Sequence, residues 1–350
     1  MGMSKNLTII IPTYNMERYL ERCLSSLITS QELMPLFEVL VINDGSKDRS
    51  SEIAHSYQEK YPKTFRVIDK ENGNYGSCIN RGLKEAEGKY IKILDADDWF
   101  DTKNFEEFLK ALTLLDVDCV ISDMQKVDDH CNLIEEVRYS LPTKHEFSLS
   151  YMIEHCICDF LWMHCVAYRI ENLRAIHYHQ SEGMSYTDQE WLYLPMTTCK
   201  SICYLPKVVY KYLVGRDGQT MNPAVFKKSF RQEIKGTMIM ATELSHQKNT
   251  DNDVFEYLKR RVFARCNKDY GMFFLEFQMD TCYDEMVELD RLLHTHAPSV
   301  YEELEKLYRF EPFRYHFVKK WREKGYPRKL WLLRTGLFLG SLFSSAEKHK

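Results

Sequence analysis

Ile91-Lys92-Ile93-Leu94-Asp95-Ala96-Asp97-Asp98-Trp99 is the stretch on which the reading of this chain turns. An apolar run stops abruptly in three acids within four positions. Carboxylates this crowded repel one another, and each gains by being protonated or solvated. A hard divalent cation lifts that penalty. Mg²⁺ or Mn²⁺ prefers carboxylate oxygen and bridges one or two carboxylates to a substrate phosphate. The plainer alternative is an acidic turn that caps a helix starting near Asn104. The stretch by itself leaves both open.

Its surroundings alternate between strand and helix. Leu7-Thr8-Ile9-Ile10-Ile11 is a β-branched run stopped by Pro12, as in a buried strand. Thr13-Tyr14-Asn15 forms a loop. Residues 16–29 then carry Leu20, Leu24, Leu27 and Ile28 at helical spacing. Phe37 to Ile42 predicts a second strand, ending in the turn cluster Asn43-Asp44-Gly45-Ser46, with a helix from about Ser50 to Lys60. Further strands are expected over 65–68, 90–94 and 119–122, and helices over 77–86 and 104–115. This order predicts an α/β sheet with mostly parallel strands. Ligands of such sheets bind outside the carboxyl ends of the strands. Here those ends carry Thr13 to Asn15, Asn43 to Gly45, Glu71 to Gly76 and Asp95 to Asp98. No Gly-x-Gly-x-x-Gly follows the first strand and no Gly-Lys-Ser/Thr occurs, so a Rossmann dehydrogenase and a P-loop NTPase lose ground.

A chain of 350 residues is long enough for two domains, and a charged fraction of 28% describes an ordinary folded protein. The net charge of −4 offers no general basis for a nucleic-acid partner. The N-terminus runs into the first strand without a signal peptide, and cysteines such as Cys23, Cys78, Cys119 and Cys266 are scattered. The expectation is a cytoplasmic protein with reduced, mostly buried thiols. His155-Cys156-Ile157-Cys158 and His164-Cys165 lack paired Cys-x-x-Cys units, which disfavours structural zinc. His177 and His179 alternate as on a strand.

Three segments together resemble the GT-A glycosyltransferases of family 2. They are Ile10-Ile11-Pro12-Thr13-Tyr14-Asn15, Val41-Ile42-Asn43-Asp44-Gly45-Ser46-Lys47-Asp48 and Leu94-Asp95-Ala96-Asp97-Asp98-Trp99. The resemblance covers roughly residues 5–222 and implies a GT-A domain, Rossmann-like, with flanking helices. It implies that Pro12, Thr13, Tyr14 and Asn15 line a pocket for the base of a UDP-sugar. Asp44 would accept from the uracil N–H, as a carboxylate accepts strongly from an imide; the alternative is a turn residue before Gly45. It further implies that Asp95, Ala96 and Asp97 contact the donor, and that Asp97 and Asp98 hold Mn²⁺ or Mg²⁺ on its diphosphate. Gly73 and Asn74 lie in a loop that opens a helix, where backbone N–H groups can approach an anion, though an ordinary turn fits as well. Cys78-Ile79-Asn80 stands where the family often has Ala-Arg-Asn, so an arginine role is absent at Ile79. Ser185-Tyr186-Thr187-Asp188 resembles the element that supplies the catalytic base, with Thr187 in place of the usual Glu. Asp188 would deprotonate the acceptor hydroxyl. Read locally, Thr187-Asp188-Gln189-Glu190 is a capping box. Arg216 could pair with the diphosphate, and His164 and Trp191 are assigned to the acceptor side.

From Pro223 onward the pattern is helical and no catalytic constellation is evident. The expected division is a GT-A domain over 1–222, a helical region over 223–310 and a basic amphipathic tail over 311–350. The roles open to the helical region are to cover the sheet, to shape the acceptor site or to build a homo-oligomer. The tail holds ten Lys/Arg against three Glu, and residues 326–340 mix bases with an apolar face. That composition suits an interfacial helix at the inner face of a membrane; the alternative is a terminal helix docked on the protein. The function expected is inverting transfer of a sugar from a nucleotide-sugar donor to a saccharide or lipid-linked acceptor in cell-surface polysaccharide synthesis. A nucleotidyltransferase and a non-catalytic sugar-nucleotide-binding scaffold are the alternatives.

Overall fold

The computed structural model describes residues 5–143, 145–216, 223–248, 250–310 and 314–337. Two compact units divide the chain, Met1–Gln219 and Thr220–Lys350.

The first unit is built on one sheet. Its strands are β1 (Leu7–Thr13), β2 (Phe37–Asn43), β3 (Phe65–Asp69), β4 (Tyr90–Ile93), β5 (Trp99–Phe100), β6 (Cys119–Val127), β7 (Leu133–Val137), β8 (Val166–Arg169) and β9 (Ile202–Leu213). Their spatial order is β3-β2-β1-β4-β8-β6-β9-β5, with β7 paired to β6. β3, β2, β1 and β4 are mutually parallel; β8 runs antiparallel to β4 and β6, while β9 runs parallel to β6. Every residue of β2 is buried, as expected for a strand covered on both faces. Helices α1 (Glu17–Ser25), α2 (Ser50–Lys60), α3 (Asn74–Glu85) and α4 (Thr102–Leu112) fill the crossovers. α4 starts at Asp101, whose carboxylate accepts from Asn104 N. The helix cap anticipated near Asn104 therefore exists, but Asp101 provides it and the acids of the 95–98 turn are left over.

Shorter helices follow: α5 (Leu149–Glu154), α6 (Ile170–Ala175), α7 (Asp188–Trp191) and α8 (Leu194–Thr197). β6 and β7 form an antiparallel hairpin. His177 and His179 lie outside any strand, since the backbone turns left-handed at His177 (φ 49°) after α6. All eleven cysteines are free.

The second unit is helical: α9 (Pro223–His246), α10 (Asn252–Gly271), α11 (Tyr283–His296), α12 (Pro298–Leu304) and α13 (Phe317–Glu323). Trp321 of α13 is fully buried against Phe273 and Phe274. Buried charges are matched there: Arg265 meets Glu233 at 3.2 Å and Arg322 meets Asp290 at 2.7 Å. Removing one member of such a pair leaves an uncompensated buried charge. Residues 314–337 of the basic segment pack as part of this unit, with Leu330 and Leu333 buried. Residues 311–313 and 338–350 of the proposed tail, and residues 217–222 after Arg216, lie outside the described residues.

Candidate active site

The parallel strands end on one rim, and the loops there are tied to one another by hydrogen bonds. Asp44 N donates to Thr13 O at 2.8 Å, and Lys47 N to Asn15 Oδ1 at 2.8 Å. Asn15 sits in the left-handed region (φ 54°), and Tyr14 is half-exposed beside it. Pro12 pairs with Ile42 within β1, which runs on to the buried Thr13. A cleft of about 530 Å³ opens at this rim, lined by Tyr14, Gly45, Lys47, Asp69, Lys70, Glu71 and Asn72. Asp44 lies just behind it at 2% exposure. Its Oδ1 accepts from Lys70 Nζ at 2.5 Å and from Gly73 N at 2.9 Å. Asn74 follows Gly73 with φ 67° and opens α3.

The acids after β4 separate into distinct environments. Asp97 is ion-paired with Arg216. Burial pushes its carboxyl upward, and the guanidinium opposes that shift. Asp98 is 1% exposed and accepts from Tyr210 OH at 2.7 Å and Leu213 N at 2.7 Å. Burial, then the charges of Asp97 and Asp95, push it well above the usual carboxylate range. Asp95 accepts from Tyr75 OH at 2.8 Å and stands 3.4 Å from His164 Nε2. Ala96, between them, is buried.

Asp95, Asp98 and His164 each offer a ligand atom, all within 4.8 Å of one another. His164 is 6% exposed and its Nδ1 has no hydrogen-bond partner. A buried imidazole beside two carboxylates, with its Nε2 on the Asp95 side, fits a divalent cation. Of the metal pair expected from the sequence, Asp97 and Asp98, Asp98 belongs to this cluster. Asp97 already faces Arg216, and His164, expected on the acceptor side, joins the acids. Lys92 supports that placement: buried in β4, its ammonium donates to His164 O at 2.6 Å.

Asp188 is half-buried at the first position of α7, and its Oδ2 accepts from Gln189 Nε2 at 3.0 Å. The capping box does not form, and Thr187 makes no side-chain cap. Instead Thr187 Oγ1 accepts from Gln180 Nε2 at 3.0 Å, and Glu190 Oε2 accepts from Ser181 N at 2.8 Å. Tertiary partners on the 180–181 segment outcompete the local cap. That segment is itself held by Asn80, whose amide donates to Gln180 O and accepts from Gln180 N, both at 2.8 Å. Gly183 N also donates to Gly73 O at 3.0 Å. The loop beside Asp44 and the segment leading to Asp188 are thus one hydrogen-bonded assembly.

Gly76 makes this close approach possible, because a Cβ there would lie 2.0 Å from Ser181 O. Substituting Gly76→Ala should displace the 180–183 segment. The expected result is about 1–3 kcal/mol lost in denaturant unfolding, the usual range for overpacking; unchanged stability would show that the segment yields freely.

Tyr75 and Tyr212 lie within electrostatic reach of both carboxylate groups. Both Asp95 and Asp188 push the Tyr75 hydroxyl upward, after burial, and Tyr212 feels Asp98, Asp95, Asp97 and Asp188. The sequence reading missed Tyr75, Tyr210 and Tyr212. The one available signal was the i, i+2 spacing of Tyr210 and Tyr212, which puts both on one face of β9. Trp191, assigned to the acceptor side, is fully buried against Tyr168 and Tyr178. The half-exposed aromatic beside the site is Trp162, 6.0 Å from the His164 ring and 6.3 Å from Tyr212.

The family model for glycosyl transferase family 2 matches residues 8–176. Glycosyltransferase GlyA of Streptococcus pneumoniae is 32% identical over 123 residues, which is 35% of this chain and 17% of GlyA. Minor teichoic acid biosynthesis protein GgaB of Bacillus subtilis is 38% identical over 104 residues, 30% of this chain and 12% of GgaB. The chain thus spans less than a fifth of either relative's length. TarS 1–349 of S. aureus, solved in complex with UDP-GlcNAc, superposes with a TM-score of 0.63 at 22% identity, covering 91% of this chain and 92% of that one. Residues 8–176 thus form a glycosyl transferase family 2 domain, and the first unit has the GT-A fold.

Proposed function

We propose that the first unit transfers a sugar from a UDP-sugar to a saccharide or lipid-linked acceptor, with inversion, in the synthesis of a cell-surface polymer. The observation that carries this reading is the cluster of Asp95, Asp98 and His164 at the strand-end rim, with Asp188 at the start of α7 close enough for its charge to act on Tyr75 and Tyr212, as that of Asp95 does. One carboxylate group can serve the leaving diphosphate and the other the attacking hydroxyl. GgaB's role in teichoic acid synthesis and the UDP-GlcNAc held by TarS support the donor and polymer class.

Asp188 takes the proton of the acceptor hydroxyl as its oxygen bonds to the anomeric carbon. The bond from that carbon to the diphosphate oxygen breaks, and the nucleoside diphosphate leaves. Asp95, Asp98 and His164 would hold Mn²⁺ or Mg²⁺, which when bound offsets charge on the leaving group. The imidazole favours Mn²⁺, since Mg²⁺ takes oxygen ligands. Arg216, now paired with Asp97, can turn its guanidinium to the diphosphate. Trp162 offers an aromatic face to an acceptor sugar.

Incubation with a panel of nucleotide sugars and Mn²⁺ tests this, assaying nucleoside diphosphate release with and without EDTA. Pyrophosphate release instead would mean a nucleotidyltransferase. Donor binding without turnover across many acceptors would mean a scaffold.

The C-terminal segment adds membrane contact at the inner leaflet to the proposal. Residues 331–337 are helical; Leu330 and Leu333 face inward while Trp331 is 74% and Leu332 50% exposed. Residues 314–337 hold eight Lys/Arg against one Glu, while the rest of the chain holds 39 against 50 Asp/Glu. An exposed Trp-Leu pair within a basic patch suits anionic lipid. The full chain should pellet with phosphatidylglycerol-containing vesicles, and a Trp331→Ser, Leu332→Ser variant about tenfold less. Equal pelleting would remove membrane contact from the proposal. A concentration-dependent mass that the same variant abolishes would make the patch a homo-oligomer interface.

A further inference from the structure

Lys70 stands between the rim cleft and Asp44. It lines the cleft, while Asp44 does not reach it. The ammonium has three N–H groups and uses all of them: Asp44 Oδ1 at 2.5 Å, Glu71 O at 2.6 Å and Ser77 Oγ at 2.9 Å. A base entering the cleft therefore meets an ammonium before it meets the carboxylate. A ring N–H that bonds Asp44 at Oδ1 takes the place of a Lys70 N–H.

We infer that Lys70 and Asp44 together read the imide edge of the base, with Lys70 as a specificity-determining residue. This rests on the uridine-nucleotide reading above. The uracil edge is an N–H flanked by two carbonyl oxygens. A carboxylate satisfies only the N–H. An ammonium bonded to that same carboxylate lies one atom away, where a flanking carbonyl arrives. As the ring N–H displaces Lys70 from Asp44, the released ammonium N–H finds the carbonyl as its new acceptor. Cytosine presents a bare ring nitrogen to the carboxylate and an amino group to the ammonium. Both contacts are then repulsive or unmade, and sites built on paired hydrogen bonds reject such analogues strongly. Without a base, the same ammonium neutralises the buried Asp44. Lys70 thus keeps the empty pocket satisfied and reads the filled one.

Titration calorimetry on the full chain with Mn²⁺, using UDP and CDP, tests this. The wild type should prefer UDP. Lys70→Met should weaken UDP by about tenfold or more, the usual scale for losing a hydrogen bond to a charged group, and leave CDP nearly unchanged. Lys70→Gln keeps an N–H donor on a side chain one bond shorter and should restore part of the preference, with a circular dichroism melt confirming that both variants fold. Unchanged or tighter UDP binding by folded Lys70→Met would overturn the inference, because Lys70 would then only obstruct the pocket. A wild type that prefers CDP or GDP would instead overturn the donor reading itself.

Discussion

Replacing Asp188 with Asn should lower sugar transfer by about a hundredfold to ten-thousandfold, the range that a positioned general base contributes. Asn matches Asp in shape but is not basic enough to take a hydroxyl proton. The substitution should leave the fold intact, because Asp188 is half-buried and its one described side-chain bond is to Gln189. UDP affinity, measured by calorimetry, should stay within about twofold, since the loss lies in the transition state and not in ground-state binding. A parallel fall in UDP affinity would point to a collapsed site. Full activity would send the search for the base elsewhere, first to the other carboxylates near Tyr75 and Tyr212.

The second large effect concerns the cation. Asp98→Asn should weaken Mn²⁺ binding by at least about tenfold, read by electron paramagnetic resonance of free Mn²⁺. His164→Ala should remove a nitrogen coupling from the spectrum of the bound ion, a signal independent of turnover. Asp97→Asn is the contrasting variant: its carboxylate faces Arg216, so Mn²⁺ affinity should change less than in Asp98→Asn. Equal losses at the two positions would favour the Asp97–Asp98 pair read from the sequence. pH provides an independent check. Burial and its acidic neighbours raise the Asp98 carboxyl well above the ordinary 3.8. Without a cation, the folded state then holds a proton that the unfolded chain would release, and stability falls as pH rises above the ordinary carboxylate range. Mn²⁺ takes the place of that proton. The rise in melting temperature on adding Mn²⁺ should therefore be larger at pH 7.5 than at pH 5.5. A rise independent of pH would mean that the ion binds away from Asp98.

Much of the rim was legible in the chain because local signals point to it. The run ending at Leu94 had to be a buried strand, and its three acids had to stand at the strand's end. Asp44 had to follow the second strand, and parallel strand ends gather on one edge by topology. Partners were not legible. Whether Asp97 or Asp98 is available to a cation depends on Arg216 and Tyr210, more than a hundred positions away, which choose between two adjacent carboxylates. Nor could Trp191 be told from Trp162, since burial is a property of the packed core.

For Ile91–Trp99, the sequence determined a strand that stops in three crowded acids, and with its neighbours it determined the α/β class. These follow from hydrophobic period and strand-end chemistry, which act within a few residues. The tertiary structure decided the remainder. It paired Asp97 with Arg216, brought Asp95 and Asp98 to His164, replaced the cap at Thr187 by a bond to Gln180, and put Lys70 in front of Asp44. The physical reason is that a charged group's state depends on what surrounds it in space, and those surroundings exist only once distant segments have packed together.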